Sequence, residues 1–303
     1  MNKKFLKSVV IIIILILIIP NTSAFFYKND KNYINNSTTD FPTIIKNINA
    51  TNPKEENDIR IMSYNLLADC LGFEGTNAFT RANGVCEMLN TISPDVIGLQ
   101  ETSRNWQTAI KDQTDYSFIS PIRTEILGTM TAIVYNPATL TLLESGEKVF
   151  SKGYDSRLRR IVWGVFRHKN TKKTFIVANT HLSLSNNNIT TPVNQATELI
   201  DSGNELFEKY NCPIFFTGDF NARERKRNTY ISSALYEMLC MTLTDTKTLS
   251  KSVSAGTPKS VNASSNDHIF LKGEAQINRY VTLSQNEFIN FSDHYPIFID
   301  TTI

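Results

Sequence analysis

Four apolar runs along the chain end in polar side chains of one chemical kind. IRIMSYN stops at Asn65, DVIGLQE at Glu101 and FIVANTH at His181, while the run from Cys212 to Phe216 opens into TGDFNA, Thr217 to Ala222. Short and rich in Ile, Val and Phe, these runs predict buried strands that deliver Asn, Glu, His and Asp at their ends. Two more polar clusters follow: NDHIFL from Asn266 to Leu271, and SDHYPI from Ser292 to Ile297 ahead of a final strand. Amphipathic stretches predict helices over Asn77 to Ile92, Arg104 to Lys111, Pro192 to Tyr210 and Asn228 to Cys240. Between them lie strand-like segments at Tyr116 to Ser120, Met130 to Tyr135, Leu140 to Val149, Arg160 to Arg167 and Thr174 to Asn179. Strands interleaved with helices, with several consecutive strands between, predict an α+β chain of two packed sheets flanked by helices. The Ser, Thr and Lys-rich stretch from Lys247 to Ser265 reads as a surface loop, and no internal repeat is evident.

The N-terminus is of a different kind. Lys3, Lys4 and Lys7 precede an apolar run from Val9 to Ile19, then Pro20 and a small-residue site with Thr22 and Ala24. That is the pattern of a cleavable signal peptide over residues 1–24, so the chain is expected to be secreted or in the secretory pathway. The run falls short of the ~20 residues a membrane span needs, which makes an uncleaved anchor the weaker reading. Residues 25–57 are rich in Asn, Lys and Thr without a sustained period and are expected to be an unordered linker. Because the polar clusters run from Asn65 to His294, both halves of 58–303 must supply one site, which favours one domain. Losing the leader's three lysines takes the formal charge from +2 to about −1, so no strongly basic nucleic-acid surface is required.

Cys70, Cys86, Cys212 and Cys240 are even in number, and an oxidising compartment permits disulfides, Cys70 with Cys86 and Cys212 with Cys240 being the local pairing. The alternative is that Cys86 and Cys212 are simply buried small side chains. Sequons at Asn35, Asn36, Asn49, Asn188, Asn262 and Asn290 suit a secreted glycoprotein, although Asn290 adjoins the SDH cluster.

The series SYN, LQE, NTH, GDFN, NDHIF and SDHYP, in this order, resembles the endonuclease/exonuclease/phosphatase superfamily of metal-dependent phosphoester hydrolases from about Asp58 to the C-terminus. DVIGLQE, GDFNA and SDHYP are most similar to its secreted deoxyribonucleases, and SDHYP also resembles its sphingomyelinases. The resemblance implies a four-layer αββα sandwich of two packed mixed β-sheets flanked by helices. It also implies a secreted Mg²⁺-dependent phosphodiesterase or nuclease, Mn²⁺ being the alternative cation. Nucleic acid is favoured over a lipid headgroup as the phosphodiester substrate, and the chain is expected to be a monomer without an obligate protein partner.

Such chemistry needs a cation, an activated water and donors for the charge on phosphorus. Oxygen ligands suit Mg²⁺, so Glu101 is the first metal ligand expected; the resemblance implies Asn65 as a metal-supporting or phosphate-contacting amide, with Asp293 joining the metal shell. Asp219 and Asn221 stand two apart and on an extended backbone leave the same face, although both are also common turn formers. The resemblance implies that Asp219 orients or deprotonates the water while Asn221 donates to a nonbridging oxygen. It likewise implies that His181 donates to the phosphate and that His294, oriented by Asp267, stabilises it or serves as acid or base. Arg160, just before a strand, aligns with an arginine that contacts the scissile phosphate; Arg157 and Arg159 read as a solvated basic face or as steering charges. His168 and His268 receive no role.

Two departures bear on substrate. Thr129 stands where many relatives carry the Glu that orients the first His, with Glu125 as a substitute, and Ser103 replaces an arginine used for groove contact, with Arg104 next to it. Lipid substrates would require exposed aromatic residues near the site, for which Phe73, Tyr154 and Phe79 are available. The other rival is a secreted binding protein that has lost catalysis; its signature would be a missing site residue, and the set is complete.

Overall fold

The central strands are buried on both faces, and that decides the architecture. The structure is a computed structural model; it describes residues 41–69, 77–119, 131–151, 158–184, 189–224, 230–255, 266–284, 288 and 290–303. The leader, Cys70, Phe73, Glu125, Thr129, Tyr154, Arg157 and the sequons at Asn35, Asn36, Asn188 and Asn262 lie outside the described residues. Among the described residues, strands β1 (Ile59–Asn65), β2 (Val96–Gln100), β3 (Ser117–Ile119) and β4 (Ala132–Tyr135) belong to a seven-stranded sheet, with β10 (Val253–Ala255), β12 (Gln276–Thr282) and β13 (Ile297–Thr302). A six-stranded sheet holds β5 (Leu140–Val149), β6 (Arg160–His168), β7 (Thr174–His181), β8 (Ile214–Asp219), β9 (Thr244–Asp245) and β11 (Asp267–Lys272). Both sheets are mixed, and every side chain of β1, β2 and β8 is buried.

Alternation along the strands sorts the apolar residues into three layers. Ile59 and Ile61 of β1 meet Val177 and Phe215 between the sheets. Met62 and Tyr64 face the other way, onto helices α1 (Phe41–Thr51), α2 (Ala78–Ile92) and α3 (Arg104–Gln113). Ile176, Ile214 and Phe216 pack outward against α4 (Thr190–Tyr210) and α5 (Tyr230–Cys240). The result is the four-layer sandwich. Local signals set its helix starts: Asn77 accepts a hydrogen bond from Phe79 N at 2.8 Å, and Ser103 accepts one from Trp106 N at 3.3 Å.

Three expectations are corrected. The linker expected over 25–57 includes a helix, Phe41–Thr51, whose Phe41, Ile45 and Ile48 are buried against the first sheet, so packed structure begins upstream of Asp58. Arg60 fastens that helix by donating to Asn52 O at 2.7 Å and to Asn49 Oδ1 at 3.3 Å while paired with Asp300 at 2.7 Å. The surface loop expected from Lys247 contains the last three residues of the one-turn helix α6 (Thr246–Leu249) and the edge strand β10, parallel to β12. Cys86, Cys212 and Cys240 are free, so the Cys212–Cys240 pairing does not form. Cys86 and Cys212 are packing residues, and burial pushes the Cys86 thiol up to about 12. Among the described residues no helix is long and apolar enough to cross a membrane.

A polar belt crosses the space between the sheets above the apolar layer. Asn179 of β7 donates through Nδ2 to Leu99 O at 2.8 Å and Ala132 O at 2.7 Å, both on the opposite sheet. Its Oδ1 accepts from Gln100 Nε2 at 2.7 Å and Thr217 Oγ1 at 3.2 Å. Gly98 makes room: a Cβ there would stand 2.0 Å from Thr217 Oγ1 and 2.6 Å from Asn179 Oδ1. Gly98→Ala is therefore expected to lower unfolding free energy by about 1–3 kcal/mol in urea denaturation. An unchanged midpoint would mean that the belt is not held at that spacing.

Candidate active site

Parallel pairing brings strand ends together. β1 and β2 run parallel with Asn65 beside Gln100, β7 and β8 run parallel with His181 beside Asp219, and antiparallel β11 begins with Asp267 beside Asp219. Each parallel pair is joined through a helix on the outer face, α2 or α4, which returns the chain so that both strands end on one edge. On the inner face of that edge, Asp219 Oδ2 is the meeting point. It accepts from Asn65 Nδ2 at 3.1 Å across the gap between sheets, and it lies 3.5 Å from His181 Nε2 and 3.7 Å from His294 Nε2. His294 Nδ1 stands 2.7 Å from Asp267 Oδ2, so Asp267 fixes the ring.

The turns beyond the strands are left-handed at three non-glycine residues: Leu67 (φ 56°), Glu101 (φ 56°) and Asn221 (φ 51°). Such backbone costs ~1–3 kcal/mol per residue and persists only where surrounding bonds fix it. Leu67 N donates to Asn65 Oδ1 at 3.0 Å, Ala68 N to Glu101 Oε2 at 2.9 Å, and Asn221 N to Asp219 Oδ1 at 3.0 Å. The expected same-face projection of Asp219 and Asn221 is thus overturned, because the backbone is not extended beyond Asp219. Asn221 instead turns back, and its Nδ2 donates to Leu182 O at 2.8 Å.

Burial raises the Asp219 carboxyl to about 6, helped by the nearby charge of Asp267 and opposed by His294, Asn221 N–H and Asn65. His294 goes to about 10: burial works against its charge, but Asp267 outweighs that through charge and hydrogen bond, with Asp219 and Asp293 adding to it. The imidazolium and its two carboxylates therefore compensate one another. Asp219, Asp267 and His294 offer ligand atoms within 4.8 Å of one another, yet the ring nitrogen facing Asp267 is already engaged. Among the described residues, Glu101 and exposed Asp293 form no ion pair, and Glu101 Oε2 accepts from Ala68 N. That oxygen set, with the Asn65 amide alongside, suits a hard divalent cation.

Other expected residues are placed less simply. Arg160 lies on the same edge and is buried, with Nη1 3.2 Å from Glu147 Oε2. Arg159 is buried too, against the reading of a solvated face. Ser103 caps α3, with Arg104 exposed beside it. Phe79 packs against the helical side of the first sheet and is no exposed loop aromatic.

Sequence reasoning missed Asn179, Arg81 and His268. Asn179 and Arg81 carry a signal in retrospect, an amide inside the apolar run FIVANTH and a cation on the apolar stripe of α2. His268 is buried behind the site on the outer face of β11, with Nε2 2.9 Å from Ala222 O and Nδ1 3.2 Å from Asp245 Oδ2, so it fixes the GDFNA turn from behind.

A family model for the endonuclease/exonuclease/phosphatase family matches residues 62–294. The chain belongs to that family. Its members are metal-dependent phosphoester hydrolases, and this chain is an enzyme of that type. Among solved structures it is similar to a family protein from Bacteroides thetaiotaomicron, at 22% identity and TM-score 0.68 over 82% of this chain and 96% of that one. It is similar to a mannosyl-6-phosphatase from Bacteroides thetaiotaomicron VPI-5482, at 23% identity and TM-score 0.68 over 81% and 100%. TDP2 of D. rerio, complexed with a single-stranded DNA product, matches at 19% identity and TM-score 0.62 over 82% and 100%. These likenesses carry the fold; no curated protein matches the sequence.

The His268–Asp245 pair gives a pH test of the scaffold. Burial opposes the charge on His268, but the hydrogen bond and charge of Asp245, with the Ala222 carbonyl, raise its pKa. Asp245 lies below its ordinary value: burial opposes this, and His268, Lys247 N–H and Tyr236 outweigh it. The stabilisation is fully present below the ordinary histidine range and fades as pH rises through the raised His268 value. In acid it fades as pH falls through the depressed Asp245 value. His268→Gln is expected to lower the melting temperature more at about pH 5.5 than at about pH 9.5. Equal losses would mean that the folded imidazole is uncharged.

Proposed function

We propose that this enzyme is a Mg²⁺-dependent phosphodiesterase, acting on nucleic acid after export, in which Asp219 is the base for the attacking water. The observation that carries the reading is the single carboxylate oxygen, Asp219 Oδ2, faced by Asn65, His181 and His294 within 3.1–3.7 Å. A phosphoryl group seated there would find the two imidazoles as donors and the carboxylate as acceptor. Asp219, raised toward neutrality, takes a proton from the attacking water as the water oxygen bonds to phosphorus. The ester P–O bond breaks on the far side, and His294, cationic beside Asp267, donates a proton to the leaving oxygen. Held by Glu101 and Asp293 with Asn65, a divalent cation would supply neutralising charge to the phosphate. Asn221 has one N–H left for a nonbridging oxygen after binding Leu182 O, and Arg160 stands at the same edge as a further cation.

Support for nucleic acid comes from the deoxyribonuclease-like motifs and from the DNA-bound TDP2 among similar structures. Support for export is the leader pattern alone, and the expected monomer rests on sequence. A second reading, hydrolysis of a sugar phosphomonoester, is favoured by the likeness to a mannosyl-6-phosphatase. The lipid reading loses Phe79. With Mg²⁺, the purified chain is to be assayed on DNA, RNA, sphingomyelin, phosphorylated inositols and mannose 6-phosphate. Asp219→Asn and His181→Ala are each expected to slow turnover about 10²–10⁴-fold while leaving the fold intact by circular dichroism. Glu101→Ala is expected to match chelator treatment. Undiminished turnover in all three variants would sink the assignment; turnover of the monoester alone would select the second reading.

A further inference from the structure

Arg81 lies on the buried stripe of α2 among Ala78, Ala82, Val85 and Leu89. A guanidinium buried there needs acceptors for its N–H groups. Nη1 donates to Leu66 O and to Phe291 O, each at 2.6 Å, and Nη2 donates to Leu67 O at 2.5 Å. The guanidinium carbon lies 4.8 Å over the Trp106 ring, whose Nε1 donates to the same Leu67 carbonyl at 3.2 Å.

The carbonyls it gathers belong to two segments, one carrying Asn65 and the other Asp293, and the first also holds Glu101. In the turn after β1, Arg81 holds the C=O side while the N–H side holds Asn65 Oδ1, through Leu67, and Glu101 Oε2, through Ala68. Leu67 is left-handed there, so the turn needs bonds on both sides to keep its shape. Phe291 directly precedes Ser292 and Asp293; the Ser292 hydroxyl donates to Asn65 O at 2.6 Å and closes the circuit. Asp69, Asp293 and Glu101 are among the charges that Arg81 feels.

We propose that Arg81 is a positioning residue for the cation, setting the turn after β1 against the segment before β13 so that Asn65, Glu101 and Asp293 reach one ion. This rests on the ligand assignment made above. The planar fork can bind three carbonyls at once in fixed directions while stacked on an indole. A lysine ammonium keeps the charge without the fork. Arg81→Lys therefore separates geometry from charge.

The test is calorimetric titration of the chelator-treated full chain with Mn²⁺, without substrate. Arg81→Lys is expected to weaken Mn²⁺ binding roughly 10–100-fold, at a temperature where circular dichroism shows the variant folded. At saturating Mn²⁺, turnover should recover toward wild type with the substrate KM unchanged, a split that general destabilisation would not produce. Wild-type Mn²⁺ affinity in Arg81→Lys overturns the proposal. A wild-type chain whose Mn²⁺ binding is indifferent to Glu101→Gln would instead remove the ligand assignment. If Arg81→Lys does not fold, Trp106→Phe decides: it deletes the indole N–H to Leu67 O and keeps a ring under the guanidinium. Weaker Mn²⁺ binding supports the proposal there, and unchanged affinity overturns it.

Discussion

Two apolar sheet faces about 10 Å apart can slide over one another with little change in buried area. What stops them here is a buried amide. Asn179 reaches from one sheet to two backbone carbonyls of the other, in directions fixed by β2 and β4, and accepts from both sheets in return. An amide with every bond made in low dielectric is hard to displace, since a shift would leave several polar groups unpaired together. One layer further out, the same register lets Asn65 meet Asp219 at 3.1 Å. Each sheet contributes to the candidate site, so its spacing is inherited from that lock.

Above the belt the architecture changes from regular to strained. Leu67, Glu101 and Asn221 are left-handed where the strands have just ended, and each turn is tied to a site side chain. The strain and the site are therefore one arrangement: the backbone N–H groups that a reversed chain exposes are the donors that hold Asn65, Glu101 and Asp219. Asp219 is both turn former and site residue, because one carboxylate oxygen accepts the Asn221 N–H and the other faces the two imidazoles.

The regular part of the fold was legible in the chain. The segments predicted at IRIMSYN and at Leu140 to Val149 match β1 and β5 over their full extent, and Asn77 marks the start of α2, because strand patterning and capping are local properties. The helix α1 was missed although Phe41, Ile45 and Ile48 lie at helical spacing, since Asn and Lys around them outweighed a short stripe. Disulfide pairing failed for a physical reason: Cys86 and Cys212 are packing atoms, and even parity says nothing about distance. The polar residues at strand ends could be read as one cluster because the strands advertise them, and the fold brings Asn65, His181, Asp219, Asp267 and His294 together. Asn179 and Arg81 act through backbone carbonyls distant in sequence, and only the folded register brings those carbonyls within reach.

Strand β11 carries the sharpest instance of that limit. Asp267 and His268 are neighbours, and alternation sends them to opposite faces, where each completes an Asp–His pair. His294 with Asp267 keeps 18% of its side chain open to solvent, whereas His268 with Asp245 keeps 1%. Composition and hydrogen bonding are nearly the same in the two pairs. Access separates them: a proton on His294 can be exchanged with a bound molecule, while a proton on His268 can only hold the Ala222 carbonyl in place. A dipeptide thus faces the candidate site through one residue and the scaffold through the other, and the two-residue period of a strand assigns which is which.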